Sequence, residues 1–190
     1  MRTESDFLID VLGRLRQAGI DYMLTGSMAS NYWGIPRTTH DLDFVVALEP
    51  GQVEQVVSAF RLGLFIQEVS VRSAFQPPYQ FNVLDEQSAL KADFWLLREN
   101  AFEQAAFGRR LAMELFGGSA WIATAEDVIL HKLYWSKLTP SDRQLQDAAG
   151  VFAVQAGTLD QAYLSRWART LGVQQELTDL TSGKTKPKST

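Results

Sequence analysis

The run Asp41-Leu42-Asp43-Phe44-Val45-Val46 restricts the fold more than any other segment of the chain. Its period of two is that of a β-strand, which puts both carboxylates on one face and points Leu42, Phe44 and Val46 into a core. Two acids one strand pitch apart can share a divalent metal. Upstream, the apolar run Tyr22-Met23-Leu24-Thr25 gives way at Gly26-Ser27 to a helix-compatible stretch, where backbone N–H groups at a helix start can face an anion such as phosphate. Downstream, Asp93 is set in Lys91-Ala92-Asp93-Phe94-Trp95-Leu96-Leu97. An ionised carboxylate within so apolar a strand needs a charge partner, and a metal would supply it. Taken singly, Gly-Ser is a common turn or helix cap and Asp-x-Asp a solvated strand face. In this order they form a three-part constellation for metal and phosphate.

Composition narrows the chemistry. The 190 residues are 46% hydrophobic, enough to bury a sizeable core as one domain with a helical extension. The formal net charge of −4 argues against a generally basic nucleic-acid surface, while leaving room for a local basic cleft. With no cysteine and two histidines, disulfide scaffolds, zinc-thiolate sites and histidine cages are excluded. Oxygen ligands remain, which suit Mg2+ or Mn2+. The polar start, Met1 to Asp6, has no signal-peptide core, and no apolar run is long enough to cross a bilayer, so no membrane association and a cytoplasmic location are expected.

Along the chain, Phe7, Leu8, Val11, Leu12 and Leu15 recur at helical spacing from a cap at Asp6 or Ser5 until Gly19. The spacing predicts a strand at 22–25, a helix from Gly26 to about Trp33, the acidic strand, and an amphipathic helix over 52–60. The region 62–78 yields a short strand at 64–66, a helical turn at 69–74 and a loop at Pro77-Pro78. A hairpin of 80–84 and 91–97 follows, then strands at 109–115 and 120–123 around Gly117-Gly118. From Thr124 the period changes to helical, with helices over 125–138, 141–154, 160–171 and 174–180. The expected organisation is a catalytic α/β core over 1–123, a helical region over 124–181 and a flexible tail over 182–190.

These residues resemble the nucleotidyltransferase superfamily that includes polymerase beta. That pattern is an apolar residue followed by Gly-Ser or Gly-Gly, then an acid–apolar–acid strand, then one more strand-borne acid. Leu24-Thr25-Gly26-Ser27, Asp41-Leu42-Asp43 and Asp93 match its three parts. More closely, the stretch from Tyr22 to Ala29 and that from Pro36 to Asp43 look like a bacterial group of small nucleotidyltransferase-like proteins, related more distantly to the AbiEii abortive-infection toxins. The likeness continues in Phe107-Gly108-Arg109-Arg110, in Ala123 to Leu133 and in Gln144-Leu145-Gln146-Asp147, and so covers nearly the whole chain except its last residues. The resemblance implies an α+β fold, a nucleotidyltransferase-like mixed β-sheet flanked by helices with a C-terminal helical extension. It also implies transfer of a nucleoside monophosphate from an NTP to an acceptor. Asp41 and Asp43 would bridge two metal ions, and Asp93 would hold the ion that lowers the acceptor's pKa. Gly26 and Ser27 would meet the β/γ-phosphates. In the absence of metal, three acids in one cleft would repel, and at least one of their pKa values should rise.

Other residues admit two readings. Arg37 suits a bidentate clamp on triphosphate oxygens and equally a structural pair with carboxylates. Lys132 resembles a phosphate-binding lysine of the superfamily, or is a solvated helix lysine. Thr38 and Thr39 read as strand or turn residues, and His40 should point away from the acids. Arg143 and Asp147, at i,i+4, read as a surface pair. Arg109-Arg110 is the candidate acceptor-side basic patch. Trp95 shares the Asp93 face and could stack on a base, whereas Trp121, Trp135 and Trp167 should pack the helical half. RNA such as a tRNA end, a protein side chain and a small hydroxylated molecule all fit as acceptor. The alternative is a catalytically idle nucleotide-binding or toxin–antitoxin-like partner of the same fold.

Overall fold

A computed structural model of the chain describes Arg2–Pro187, so the last three residues of the expected tail lie outside the described residues. The chain forms two compact units. One runs to Thr25 and resumes over Thr39–Ile122; the other comprises Gly26–Thr38 and everything from Ala123 onward.

Among the described residues of the first unit, seven strands form one mixed sheet: β1 (Asp21–Thr25), β2 (Asp41–Ala47), β3 (Leu64–Phe65), β4 (Gln80–Asp85), β5 (Lys91–Leu96), β6 (Leu111–Leu115) and β7 (Gly118–Ile122). Their order is β3-β4-β5-β2-β1-β7-β6, with β2–β5 and β1–β7 parallel and the other neighbours antiparallel. The unit's helices are α1 (Glu4–Gln17), α3 (Val53–Phe60), α4 (Glu68–Ser73) and α5 (Ala101–Gly108). One sheet face is the core. Phe44 stacks on Phe94 at 5.3 Å, Phe81 on Phe94 at 4.9 Å, and Phe60 of α3 meets Phe94 edge-on at 5.4 Å. All four rings are nearly or fully buried. Burying three or four aromatic side chains fixes which way β2 and β5 face, because a one-residue slip would expose the whole set.

The start of α1 departs from expectation. Its cap is Thr3, not Ser5 or Asp6: the Asp6 N–H donates to Thr3 Oγ1 at 3.1 Å, and the Thr3 N–H donates back to Asp6 Oδ2 at 3.1 Å. Asp6 is thus the reciprocal member of a capping box. Helix α5 was not foreseen. Its signal was present, since Asn100 accepts from the Glu103 N–H at 2.9 Å and Phe102, Ala106 and Phe107 form its buried stripe, but two turns give too short a period to read.

The second unit is helical: α2 (Gly26–Trp33), α6 (Ala125–Leu138), α7 (Asp142–Gln155), α8 (Gln161–Leu171) and α9 (Gln174–Thr181). Helix α2 packs on α6 and α7. Its close fit to α7 depends on Gly34, where an added Cβ would come within 2.6 Å of the Val151 backbone nitrogen. Two further bonds fasten the segment, from Trp33 Nε1 to the Ala123 carbonyl at 2.8 Å and from Gln155 Nε2 to the Trp33 carbonyl at 2.9 Å.

Candidate active site

In the sheet unit, Asp41 and Asp43 lie on the face of β2 opposite Leu42, Phe44 and Val46. The parallel register pairs Asp43 with Asp93 and Asp41 with Lys91. Asp43 also pairs with Thr25 on β1, and Asp93 with Asn82 on β4. Thr25, Asp43, Asp93 and Asn82 therefore make one polar row across four strands, each about 4.8 Å from the next. Exposure falls along the acids: the Asp41 side chain is 55% exposed and that of Asp93 only 12%.

Lys91, which sequence reasoning did not single out, lies on the same face. Its Nζ donates to Asp93 Oδ2 at 2.9 Å and lies 3.7 Å from Asp41 Oδ1. The hydrogen bond to Asp93 raises the lysine pKa above its ordinary value against the opposing effect of burial, and the charges of Asp93, Asp41 and Asp43 raise it further. The expected mutual repulsion of the acids is thus met by a cation from the protein itself. The signal was legible in Lys91-Ala92-Asp93, since residues two apart share a strand face. Among the described residues, no three acid or histidine side chains converge into a ready-made metal cage. The donors on this face are carboxylate oxygens on adjacent strands, the ligand type that suits a hard divalent cation, and a lysine ammonium stands among them.

Gly26 and Ser27, the expected phosphate seat, belong to the helical unit. Gly26 opens α2 with φ +60°, a left-handed conformation that a side chain would strain and that turns the chain sharply from strand to helix. The Ser27 hydroxyl accepts from Arg37 Nη2 at 2.8 Å. Arg37 in turn grips Asp147 with both prongs, Nε to Oδ1 at 2.7 Å and Nη2 to Oδ2 at 2.8 Å. Asn31 holds the Arg37 backbone at both its N–H and its carbonyl, which fixes where the guanidinium starts from. Lys132 donates to Asp147 Oδ2 at 2.8 Å, with side-chain exposures of 7% and 6%. Burial disfavours ionised Asp147, but the Arg37 hydrogen bond, together with the charge and hydrogen bond of Lys132, outweighs it and holds the carboxyl below the ordinary carboxylate range.

This cluster corrects two expectations. Lys132 is a buried, ion-paired residue rather than a solvated one, and Asp147 faces Arg37 and Lys132 instead of forming a surface pair with Arg143. Helix α6 is anchored for this by Thr124, whose hydroxyl accepts from the Asp127 N–H, and by Asp127, which accepts from Tyr163 Oη at 2.7 Å.

The remaining residues separate. His40 is 71% exposed and faces Glu4 at 3.3 Å, away from the acids. Thr39 is buried, its hydroxyl directed at the Asp41 carbonyl at 3.3 Å. Trp95 lies two residues from Asp93 on the same strand and is half-buried. Trp121 stands on β7 in the sheet unit, 42% exposed, and not among the C-terminal helices. With Arg16, Asp21, Tyr22 and Ser119 it lines a cleft of about 310 Å3 at the end of β1 remote from Thr25. Arg110 packs over Phe107 and Trp121, donates to the Phe107 carbonyl and lies 3.6 Å from Asp21, so it is a structural arginine more than an open basic patch.

The fold of the chain is similar to that of ANT(2")-Ia and of a nucleotidyltransferase-like protein. Three solved structures share it. ANT(2")-Ia, crystallised in complex with adenylyl-2"-tobramycin, has a TM-score of 0.61 at 12% identity over 89% of this chain and 97% of its own. An antigenic nucleotidyltransferase-like protein from Paracoccidioides brasiliensis has 0.55 at 14% over 96% and 93%. The solution structure of the antibiotic-resistance factor ANT(2'')-Ia has 0.52 at 15% over 97% and 92%. At such identities the likeness is one of fold alone. No protein-family profile and no curated protein sequence matches the chain. No described helix is long and apolar enough to cross a membrane.

Proposed function

We propose that the protein is a metal-dependent nucleotidyltransferase that moves a nucleoside monophosphate from an NTP to an acceptor hydroxyl. The observation that carries this reading is the register of Asp43 with Asp93 on the sheet face opposite the aromatic core, one strand pitch from Asp41. The fold shared with ANT(2")-Ia, crystallised in complex with adenylyl-2"-tobramycin, supports it. Asp41, Asp43 and Asp93 would hold Mg2+ or Mn2+, which when bound stabilises the attacking and departing oxygens of an in-line displacement. Gly26 lets the backbone approach the triphosphate. Ser27, Arg37 and Lys132 supply its hydrogen bonds and positive charge, with Asp147 fixing the two cations in place. The acceptor oxygen attacks the α-phosphorus, its proton passes to Asp93, and pyrophosphate departs. A small hydroxylated acceptor suits the acidic chain better than a polynucleotide, which would call for a basic surface.

The test is labelling of acceptor pools by radiolabelled nucleoside triphosphates. Asp41→Asn with Asp43→Asn should reduce labelling by at least about 100-fold, since these acids act on transition-state charge. The fold, held by the opposite strand face, should be retained by circular dichroism. Wild-type inactivity on RNA, protein and small-molecule pools with all four nucleotides would instead favour a catalytically idle, nucleotide-binding partner.

A further inference from the structure

We propose that Lys91 is a tethered counter-cation that occupies the acidic face in the metal's stead, so that a divalent ion binds there by displacing the lysine ammonium. This rests on the reading of Asp41, Asp43 and Asp93 as metal ligands. The geometry is that of an ion in a shared coordination site. Lys91 Nζ bonds Asp93 Oδ2 at 2.9 Å and approaches Asp41 Oδ1 at 3.7 Å, so one positive charge serves acids on two adjacent strands. The parallel register makes this unavoidable: Lys91 pairs with Asp41, and Asp93 with Asp43, so the lysine stem rises from the same patch as the carboxylates. Lys91 Nζ bonds an Asp93 oxygen that a metal ligand would have to offer, and its side chain keeps 32% exposure to solvent. The consequence is a balance. The lysine holds the acids together when no metal is bound, and weakens the metal by the cost of its own removal.

The experiment measures Mn2+ binding without nucleotide, by calorimetry, to the wild type and to Lys91→Met and Lys91→Arg. Lys91→Met keeps the stem and deletes the charge. It should bind Mn2+ about tenfold more tightly, the equivalent of one charge-assisted hydrogen bond that no longer has to break. Lys91→Arg keeps the charge and should bind like the wild type. Melting gives an independent readout. Without metal, Lys91→Met should melt below the wild type because its acids repel, and added Mn2+ should raise its melting temperature more than that of the wild type. Equal or weaker Mn2+ affinity in a folded Lys91→Met would overturn the competition while leaving the metal-ligand reading standing. Absence of Mn2+ binding in all three proteins would instead sink the metal-ligand reading, and this inference with it.

Discussion

Replacing Asp147 by Asn keeps volume and hydrogen-bonding shape and removes one negative charge from the centre of the Arg37–Asp147–Lys132 cluster. Two cations then face each other across a neutral amide, each having been within 2.8 Å of the lost carboxylate. Breaking a buried ion pair costs about 3–5 kcal/mol when the survivor stays buried. Lys132 is buried to that degree, with 7% exposure, while Arg37 retains 26% and can draw on solvent. The lower end, about 3 kcal/mol, is therefore expected. In a protein of this size that is a fall in Tm of about 6–12 °C. Urea denaturation followed by circular dichroism measures the free-energy loss, and thermal melting the fall in Tm. A companion variant, Asp147→Leu with Lys132→Met, removes both charges of the most buried pair and should be less destabilised than Asp147→Asn alone, because no buried ammonium remains facing a neutral partner. A loss below about 1 kcal/mol for Asp147→Asn, the range of exposed pairs, would refute the idea that this cluster is a buried ionic lock.

The same carboxylate sets an acid limit. Its pKa is lowered from 3.8 in the folded protein, so its stabilising effect is fully present above that value and is lost as pH falls through the lower folded pKa. The stability gap between wild type and Asp147→Asn should hold from neutrality to about pH 4 and close below it, as acid-titrated melts would reveal; a gap that widens below pH 4 would contradict the assignment. Gly34→Ala should cost about 1–3 kcal/mol, since its Cβ would press on the backbone of Gly150 and Val151 at 2.6–2.9 Å. Gly13→Ala in α1, with nothing within 4 Å, should stabilise by about 0.5–1 kcal/mol, and melting both variants side by side checks the contrast.

Much of the candidate site could be read from local pattern. Alternation alone placed Asp41 and Asp43 together on a strand face, and the change of period at Thr124 marked the passage to helices α6 to α9. A strand's faces are fixed by its own sequence, because burying Phe44 and Phe94 leaves the acids only one side to occupy. Lys91 falls under the same rule, standing two residues before Asp93 on that strand.

What the chain alone could not supply was partnership across long separations. Asp147 looked like a surface residue because its own helix offers Arg143 at i−4. Only packing brings Arg37, 110 residues away, and Lys132, 15 residues away, onto it and turns it inward. The grouping of Gly26–Thr38 with the C-terminal helices depends likewise on Gly34 admitting α7, a contact with no local signature. Periodicity reports which face of an element is apolar, and so the sequence determined strands, helices and the acidic face. Register and ion pairing are decided by which faces meet, here β5 beside β2 and Asp147 of α7 against Arg37.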